Sequence, residues 1–422
     1  MIALQTTAAF DLLPVIVAIA VFLIVILVLV ALLLYAKAKL TPSGEVTIII
    51  NEDKELVVSP GNSLLTTLSE QQVYLPSACG GGGTCGMCKC QVLEGGGEIL
   101  PTEVNFFTRR QQQECWRLGC QVKVKENMKI QVPEEVLGVR KWECEVVSNR
   151  NVATFIKEFV VKLPAGESLD FRAGGYIQID VPKYEVDFSK DIFVEDEYRD
   201  DWDSMDIWNL KLANREETFR AYSMANHPAE GNIIMLNIRI ATPPWDRAKG
   251  TFMNVPPGIC SSYIFSRKAG DKVTISGPYG EFFMKDTPTE KMFIGGGAGM
   301  APMRSHIFDL MLTKKWEKPV TFWYGARSLR EMFYEEDFQK IEAEHPNFKY
   351  TVALSEPKPE DRWTGPTGFI HQVIYDDYLK NHQAPEDVEY YLCGPPMMID
   401  AVTRMLDSLG VPPENIMYDN FG

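Results

Sequence analysis

The chain has 422 residues, with 42 basic and 57 acidic side chains and a formal net charge of −15. That balance excludes a nucleic-acid partner, which needs a basic footprint. A hydrophobic share of 45% excludes global disorder, nine cysteines are too few for a disulfide scaffold, and five histidines argue against a histidine-built metal enzyme.

Leu12 to Ala36 is a run of 25 residues without a charge. As a helix it spans about 37 Å, enough to cross a hydrocarbon core of roughly 30 Å. A cleavable signal peptide fits poorly: no positive charge precedes the run, and it exceeds an h-region of about 7–15 residues. Asp11 lies before it, and Lys37 and Lys39 follow. Positive flanks stay on the cytoplasmic side. The expectation is a single-pass anchor in the lipid bilayer, with everything after Lys37 in the cytoplasm. There the thiols are reduced. Without a carboxylate or a basic residue, the helix alone offers no ion path.

Residues 45–60 read as two short strands around a polar turn, and 63–71 as a short helix. A Gly- and Cys-rich loop follows at 77–90, and the alternating stretch toward 132 closes an α+β module at 44–133. Cys79, Cys85 and Cys88 are spaced C-x5-C-x2-C, with Cys120 after 31 further residues. Four thiolates are the ligand set of a [2Fe–2S] cluster. Glycine at 80–83 and 86 lets the backbone wrap such a group and aim N–H donors at its sulfurs. Tetrahedral zinc is the alternative, but zinc usually pairs two C-x2-C knuckles, and here the fourth cysteine stands alone. Cys90, at a strand start, is expected to point into the core, and Cys115 lies in a helical context.

From 139 to 286 the signals are strands separated by turns, which predicts a small antiparallel barrel. Residues 183–217 interrupt it with 12 acidic and 5 basic side chains. They read as a surface insertion, either a solvated loop or a docking surface. From 287 on, strands alternate with helical patterns, which predicts a parallel sheet with helices on both faces. Three motifs lie in this half: Arg220-Ala221-Tyr222-Ser223, Gly258-Ile259-Cys260-Ser261, and a Gly-rich turn from Gly295 through Gly297 and Gly299 to Pro302. The turn follows a strand and precedes a helix, the context of a phosphate site, and proline at a helix start is tolerated. Cys393-Gly394-Pro395 directly follows an apolar strand. Alone, Cys393 would read as a buried strand-end thiol.

The cysteine loop resembles the plant-type ferredoxins, spaced C-x4-C-x2-C…C, with one extra residue in the first gap. The expected fold of that module is ferredoxin-like (β-grasp). Residues 220–223, 258–261 and 277–283 together resemble the flavin barrel of the ferredoxin-reductase family. The resemblance implies that Arg220 pairs with the FAD pyrophosphate, that Ala221 and Tyr222 lie against the flavin, and that Ser223 hydrogen-bonds near its N5. It implies that Gly258, Cys260 and Ser261 supply an anion site, and that Gly295, Gly297, Gly299 and Pro302 form the dinucleotide loop of a Rossmann-like domain. Cys393, Gly394 and Pro395 resemble the family's C-G-P motif, whose cysteine lies by the nicotinamide. Arg327 matches a position near the ribose end and does not separate NADH from NADPH. Phe421 replaces the usual terminal Tyr that stacks on the flavin, a frayed tail being the plain alternative.

Nicotinamides transfer electron pairs, clusters transfer single electrons, and flavins do both. The order anchor, cluster, flavin, nicotinamide, with the acidic insertion, resembles the F subunits of bacterial sodium-translocating NADH:quinone reductases over essentially the whole chain. That resemblance implies an NADH-oxidising, electron-input subunit with FAD and a [2Fe–2S] cluster. Ser223 and Cys393 would sit at the hydride-transfer site. Other membrane subunits of a bacterial cytoplasmic membrane would carry electrons on to ubiquinone. The expected domains are 1–43 (anchor, helix 12–36), 44–133 (cluster), 134–286 (FAD) and 287–422 (NAD). Two other readings stay open: a membrane-anchored reductase serving an oxygenase, and a tethered zinc scaffold with vestigial nucleotide domains.

Overall fold

The computed structural model describes residues 12–40 and 44–419. Its first element is a 29-residue helix, Leu12–Leu40. The stretch Val15–Tyr35 is apolar throughout, and none of it is buried against protein. A helix hydrophobic on every side belongs in a protein core or in lipid, and this one has no core around it.

The chain divides into two compact units: residues up to Gln71 with Cys88–Val132, and Gln72–Met87 with Pro133 onward. In the first, five strands form a mixed sheet in the order Lys54–Val58, Val46–Ile50, Met128–Gln131, Lys89–Glu94, Trp116–Leu118. Val46–Ile50 runs antiparallel to Lys54–Val58 and parallel to Met128–Gln131. Helix Leu64–Glu70 is N-capped by Ser63, whose Oγ accepts a hydrogen bond from Thr66 N at 3.2 Å. Leu64, Leu65 and Leu68 turn inward onto a core with Ile48, Ile50 and Ile130. Alternation along Lys89–Glu94 buries Cys90 and Val92 together. Cys115, expected in a helix, instead follows Arg109–Gln113 at φ +61° and is exposed. Glu103 and Arg117 form a buried ion pair at 2.7 Å, and Glu103 also accepts from Leu118 N at 2.8 Å.

In the second unit, six antiparallel strands lie in the order Thr218–Ser223, Tyr176–Val181, Lys272–Tyr279, Arg140–Ala153, Ile156–Lys162, Ile233–Arg239. A bridge between Met224 and Leu236 joins the two ends of this sheet, closing a barrel. Residues 183–217 are not a solvated loop. Val186, Phe188, Ile192, Val194, Trp202, Ile207 and Leu212 belong to the barrel core. Trp202 donates from Nε1 to Thr154 O at 2.7 Å. Asp191, Asp196, Glu197, Asp200 and Asp203 stay on the outer side.

Five parallel strands complete this unit, in the order Phe348–Leu354, Val320–Ala326, Lys291–Gly296, Glu389–Cys393, Ile416–Asp419. Helices Met300–Phe308 and Glu335–Glu344 cover one face, and Ile370–Asp377 and Pro396–Ser408 the other. Within Lys291–Gly296, Phe293 serves the first face, Met292 and Ile294 the second. Strand order reverses between Lys291–Gly296 and Glu389–Cys393. The crevice beyond the C-terminal ends of such strands is where open α/β sheets bind ligands. The last described segment, Ile416–Asp419, is a strand beside Glu389–Cys393.

Candidate redox site

Gly80, Gly81, Gly83 and Gly86 of the cysteine loop all have positive φ, from 64° to 88°. Glycine adopts this region without steric cost. Ser77 Oγ accepts from Gly81 N at 3.1 Å and ties the turn at its base. The Sγ atoms of Cys79 and Cys85 lie 3.3 Å apart. Thiolates on one tetrahedral centre, with bonds of about 2.3 Å, stand about 3.7 Å apart, so the pair fits two ligands of one iron. Burial pushes the Cys79 thiol up, but the backbone N–H groups of Cys85 and Thr84 and the Cys85 and Ser77 side chains outweigh it. The result is a thiol brought down to about 6, and the thiolate is the metal-binding form.

In the first unit, Gly119 N donates to Cys88 O at 2.7 Å, and Gln121 Nε2 reaches Cys120 Sγ at 3.7 Å. Burial pushes the Cys90 thiol up to about 12, which leaves it a core thiol. None of the nine cysteines is in a disulfide. Among the described residues, no group of three or more His, Cys, Asp or Glu is gathered for a single ion. A [2Fe–2S] cluster takes its ligands two to an iron.

Strand Thr218–Ser223 pairs with Tyr176–Val181, setting Arg220 opposite Ile179, Ala221 opposite Gln178 and Ser223 opposite Tyr176. Helix Ile259–Phe265 begins after Gly258. Burial pushes its Cys260 thiol up to about 11, with the Arg220 charge opposing. Tyr222, its phenol raised well above the usual range by burial, also feels Cys260. The two flavin motifs therefore share one corner of the barrel. Arg220 Nη1 donates to Phe219 O at 2.8 Å and to Thr218 Oγ1 at 3.2 Å. Its Nε and Nη2 have no hydrogen-bond partner among the described residues, so the forked edge fits a diphosphate. Ser261 Oγ is used internally, accepting from Ala241 N at 3.1 Å and donating to Gly258 O at 3.2 Å.

At the sheet crevice, Gly295 and Cys393 are in register on the two central strands. Gly297 and Gly299 form the turn, and Pro302 lies in the first turn of Met300–Phe308. A Cβ on Gly299 would come 2.1 Å from Cys393 O, so only glycine admits this approach. Gly394 and Pro395 lead into Pro396–Ser408. Cys393 is fully buried, and burial and then Asp419 push its thiol well above the usual range. Asp419 is its register partner on the last strand, and Ser223 Oγ donates to Asp419 Oδ2 at 2.8 Å. Burial pushes the Asp419 carboxyl up, and the Ser223 hydrogen bond partly offsets this.

Ser223 and Cys393 thus meet through a residue that no sequence motif singles out. Its one sequence signal is a carboxylate in the final segment Ile416–Phe421. Phe421 lies outside the described residues. Arg327, beyond Val320–Ala326, pairs with Glu356 at 3.3 Å, both side chains exposed.

Residues 48–125 match the family of 2Fe-2S iron-sulfur cluster binding domains. Residues 207–284 match the oxidoreductase FAD-binding domain, and 293–404 the oxidoreductase NAD-binding domain. The chain is 59% identical over 411 residues to the F subunit of the Na(+)-translocating NADH-quinone reductase of Methylococcus capsulatus, covering 97% of this chain and 100% of that one. The F subunit of the Serratia proteamaculans reductase is 56% identical over 410 residues, covering 97% and 99%. Among solved structures, a cytochrome P450 reductase from Amycolatopsis shares the fold at 22% identity and a TM-score of 0.62, covering 89% of this chain and 98% of that one. The ferredoxin reductase of carbazole 1,9a-dioxygenase matches at 25% identity and a TM-score of 0.58, covering 90% and 99%.

The oxygenase-reductase reading is not favoured, because that likeness is one of fold, whereas the whole-chain relatives belong to quinone reductases. FAD, a [2Fe–2S] cluster and NADH are the redox groups of this chain. Bound FAD takes electrons in pairs from NADH and releases them singly, and the cluster carries them one at a time. Being one subunit among several implies a larger assembly, and the apolar helix suits one anchored in a membrane. With close relatives along nearly its full length and all three redox modules in order, the chain belongs to the family of F subunits of the Na(+)-translocating NADH-quinone reductases, the NADH-oxidising, electron-input components of those enzymes.

Proposed function

We propose that Cys79, Cys85, Cys88 and Cys120 ligate the cluster. Arg220, Ala221, Tyr222, Gly258, Cys260 and Ser261 hold FAD, with Phe421 stacking on the flavin. Gly295, Gly297, Gly299, Pro302, Gly394 and Pro395 shape the NADH site, and Ser223 and Cys393 flank the transferred hydride. The observation that carries this reading is the convergence of Ser223 and Cys393 on Asp419 at the sheet crevice. The Ser223 proton is committed to Asp419, so its oxygen presents lone pairs to an arriving donor. Cys393, buried and protonated, adds bulk and a weak S–H donor rather than a charge.

The domain assignment we propose is anchor 1–43, cluster 44–133, FAD 134–286 and NAD 287–422. The soluble modules face the cytoplasm from a single-pass anchor in the bacterial inner membrane, a side supported by Lys37 and Lys39. Other membrane subunits take the electrons to ubiquinone and move sodium. The run from Leu12 to Ala36 has no carboxylate or basic side chain with which to do so.

The test is anaerobic titration of the solubilised full chain with NADH. Flavin absorption should bleach first and cluster absorption next. Cys85→Ser should keep the flavin step and lose the cluster band. An unaltered cluster spectrum in Cys85→Ser overturns the ligand assignment.

A further inference from the structure

The segment carrying Cys79 and Cys85 is fixed on the flavin barrel at both of its ends. Tyr74 and Met87 pack against the cluster of Val139, Tyr176 and Tyr279, on which Ala221 also packs. Lys141 Nζ lies 4.9 Å from the centroid of the Tyr74 ring. The middle of the segment reaches Arg220. A Cβ on Gly80 would stand 2.5 Å from Arg220 Nη1, 2.7 Å from Phe219 O and 3.0 Å from Thr218 Oγ1. These same three atoms form the hydrogen bonds that hold the guanidinium on its strand. Gly80 also has φ +64°, so a side chain there is strained as well as obstructed.

We infer that the seating of the Cys79–Cys85 loop and the grip of Arg220 on FAD are coupled, so that each site senses the state of the other. Arg220 cannot shift toward or away from an anion without opening or compressing the space that Gly80 fills. The loop cannot move aside freely, because Tyr74 and Met87 pin its ends to the same cluster that holds Ala221, the next residue on the Arg220 strand. Coupling between two sites is reciprocal in binding free energy. FAD occupancy therefore alters the loop, and the loop alters FAD affinity. The inference rests on the reading of Arg220 as the diphosphate residue.

The test uses the full chain with its cluster retained and FAD removed. FAD affinity is measured by flavin fluorescence. The EPR spectrum of the dithionite-reduced cluster is recorded with and without saturating FAD, the fully reduced flavin being EPR-silent. In the wild type, FAD should shift the g-values or line shape, and an identical spectrum overturns the coupling. Gly80→Ala should weaken FAD binding about tenfold, within the usual range of coupled sites, and wild-type affinity overturns the inference. Should Gly80→Ala fail to assemble its cluster, Arg220→Lys decides from the other side. It should weaken FAD and change the FAD-free cluster spectrum. Weaker FAD with an unchanged spectrum sinks the coupling alone, whereas unchanged FAD affinity sinks the diphosphate reading beneath it.

Discussion

Asp419 is the side chain on which the proposed hydride site turns. It ties Ser223 of the barrel to the crevice of the parallel sheet at 2.8 Å, from a position 196 residues away. Ser223→Ala and Asp419→Asn should each slow flavin reduction by NADH about 10–100-fold, because a misplaced group at a reacting centre costs on that order. FAD content should change little. Stopped-flow reduction checks this, and wild-type rates in both variants would remove Ser223 from the proposed machinery.

A second residue carries a pH signature. His306 is fully buried, and burial holds its imidazole neutral down to about 3. The unfolded chain binds that proton below about 6.5 and the folded chain does not. Stability is therefore lost as pH falls from about 6.5 toward 3. His306→Leu removes this penalty. Between pH 7 and pH 5 the variant should gain about 2 kcal/mol relative to the wild type, at about 1.36 kcal/mol per unit. Urea unfolding at the two pH values measures it.

At the scale of elements, the acidic insertion shows how composition misleads. Its density of Asp and Glu reads as a solvated loop, yet every few residues an apolar side chain turns into the barrel. Trp202 anchors it, fully buried and hydrogen-bonded to Thr154 O. Trp202→Ala should cost about 3–5 kcal/mol, whereas Glu197→Gln on the outer face should stay within about 0.5 kcal/mol. Thermal unfolding of the two variants checks the contrast. The strand Ile416–Asp419 is equally illegible in the sequence. It is four residues long, and its pairing with Glu389–Cys393 is decided by the neighbour rather than by any pattern of its own. By contrast, the helices of the nucleotide domain and the cap of Leu64–Glu70 follow from local periodicity and Ser63.

For the whole molecule, the anchor and the redox modules are separable in expectation. Removing residues 1–36 should release the chain from the membrane while leaving NADH oxidation by an artificial one-electron acceptor near the intact level. Quinone-linked activity should be lost. Fractionation with parallel assays checks this, and continued membrane association without the helix would displace it as the anchor.

The apolar helix, the cysteine spacing and the order of the flavin and nucleotide motifs are legible along the chain. Each is a local feature, written in contiguous residues by the thickness of a bilayer or the needs of a bound group. It took the packed fold to show that Met224 and Leu236 close the barrel, that the insertion sends apolar side chains into the barrel core, and that Gly80 sits on Arg220. It alone brought Asp419 between Ser223 and Cys393. These are contacts between distant segments, set by strand order and burial, and local periodicity carries no record of which distant segment will be the partner.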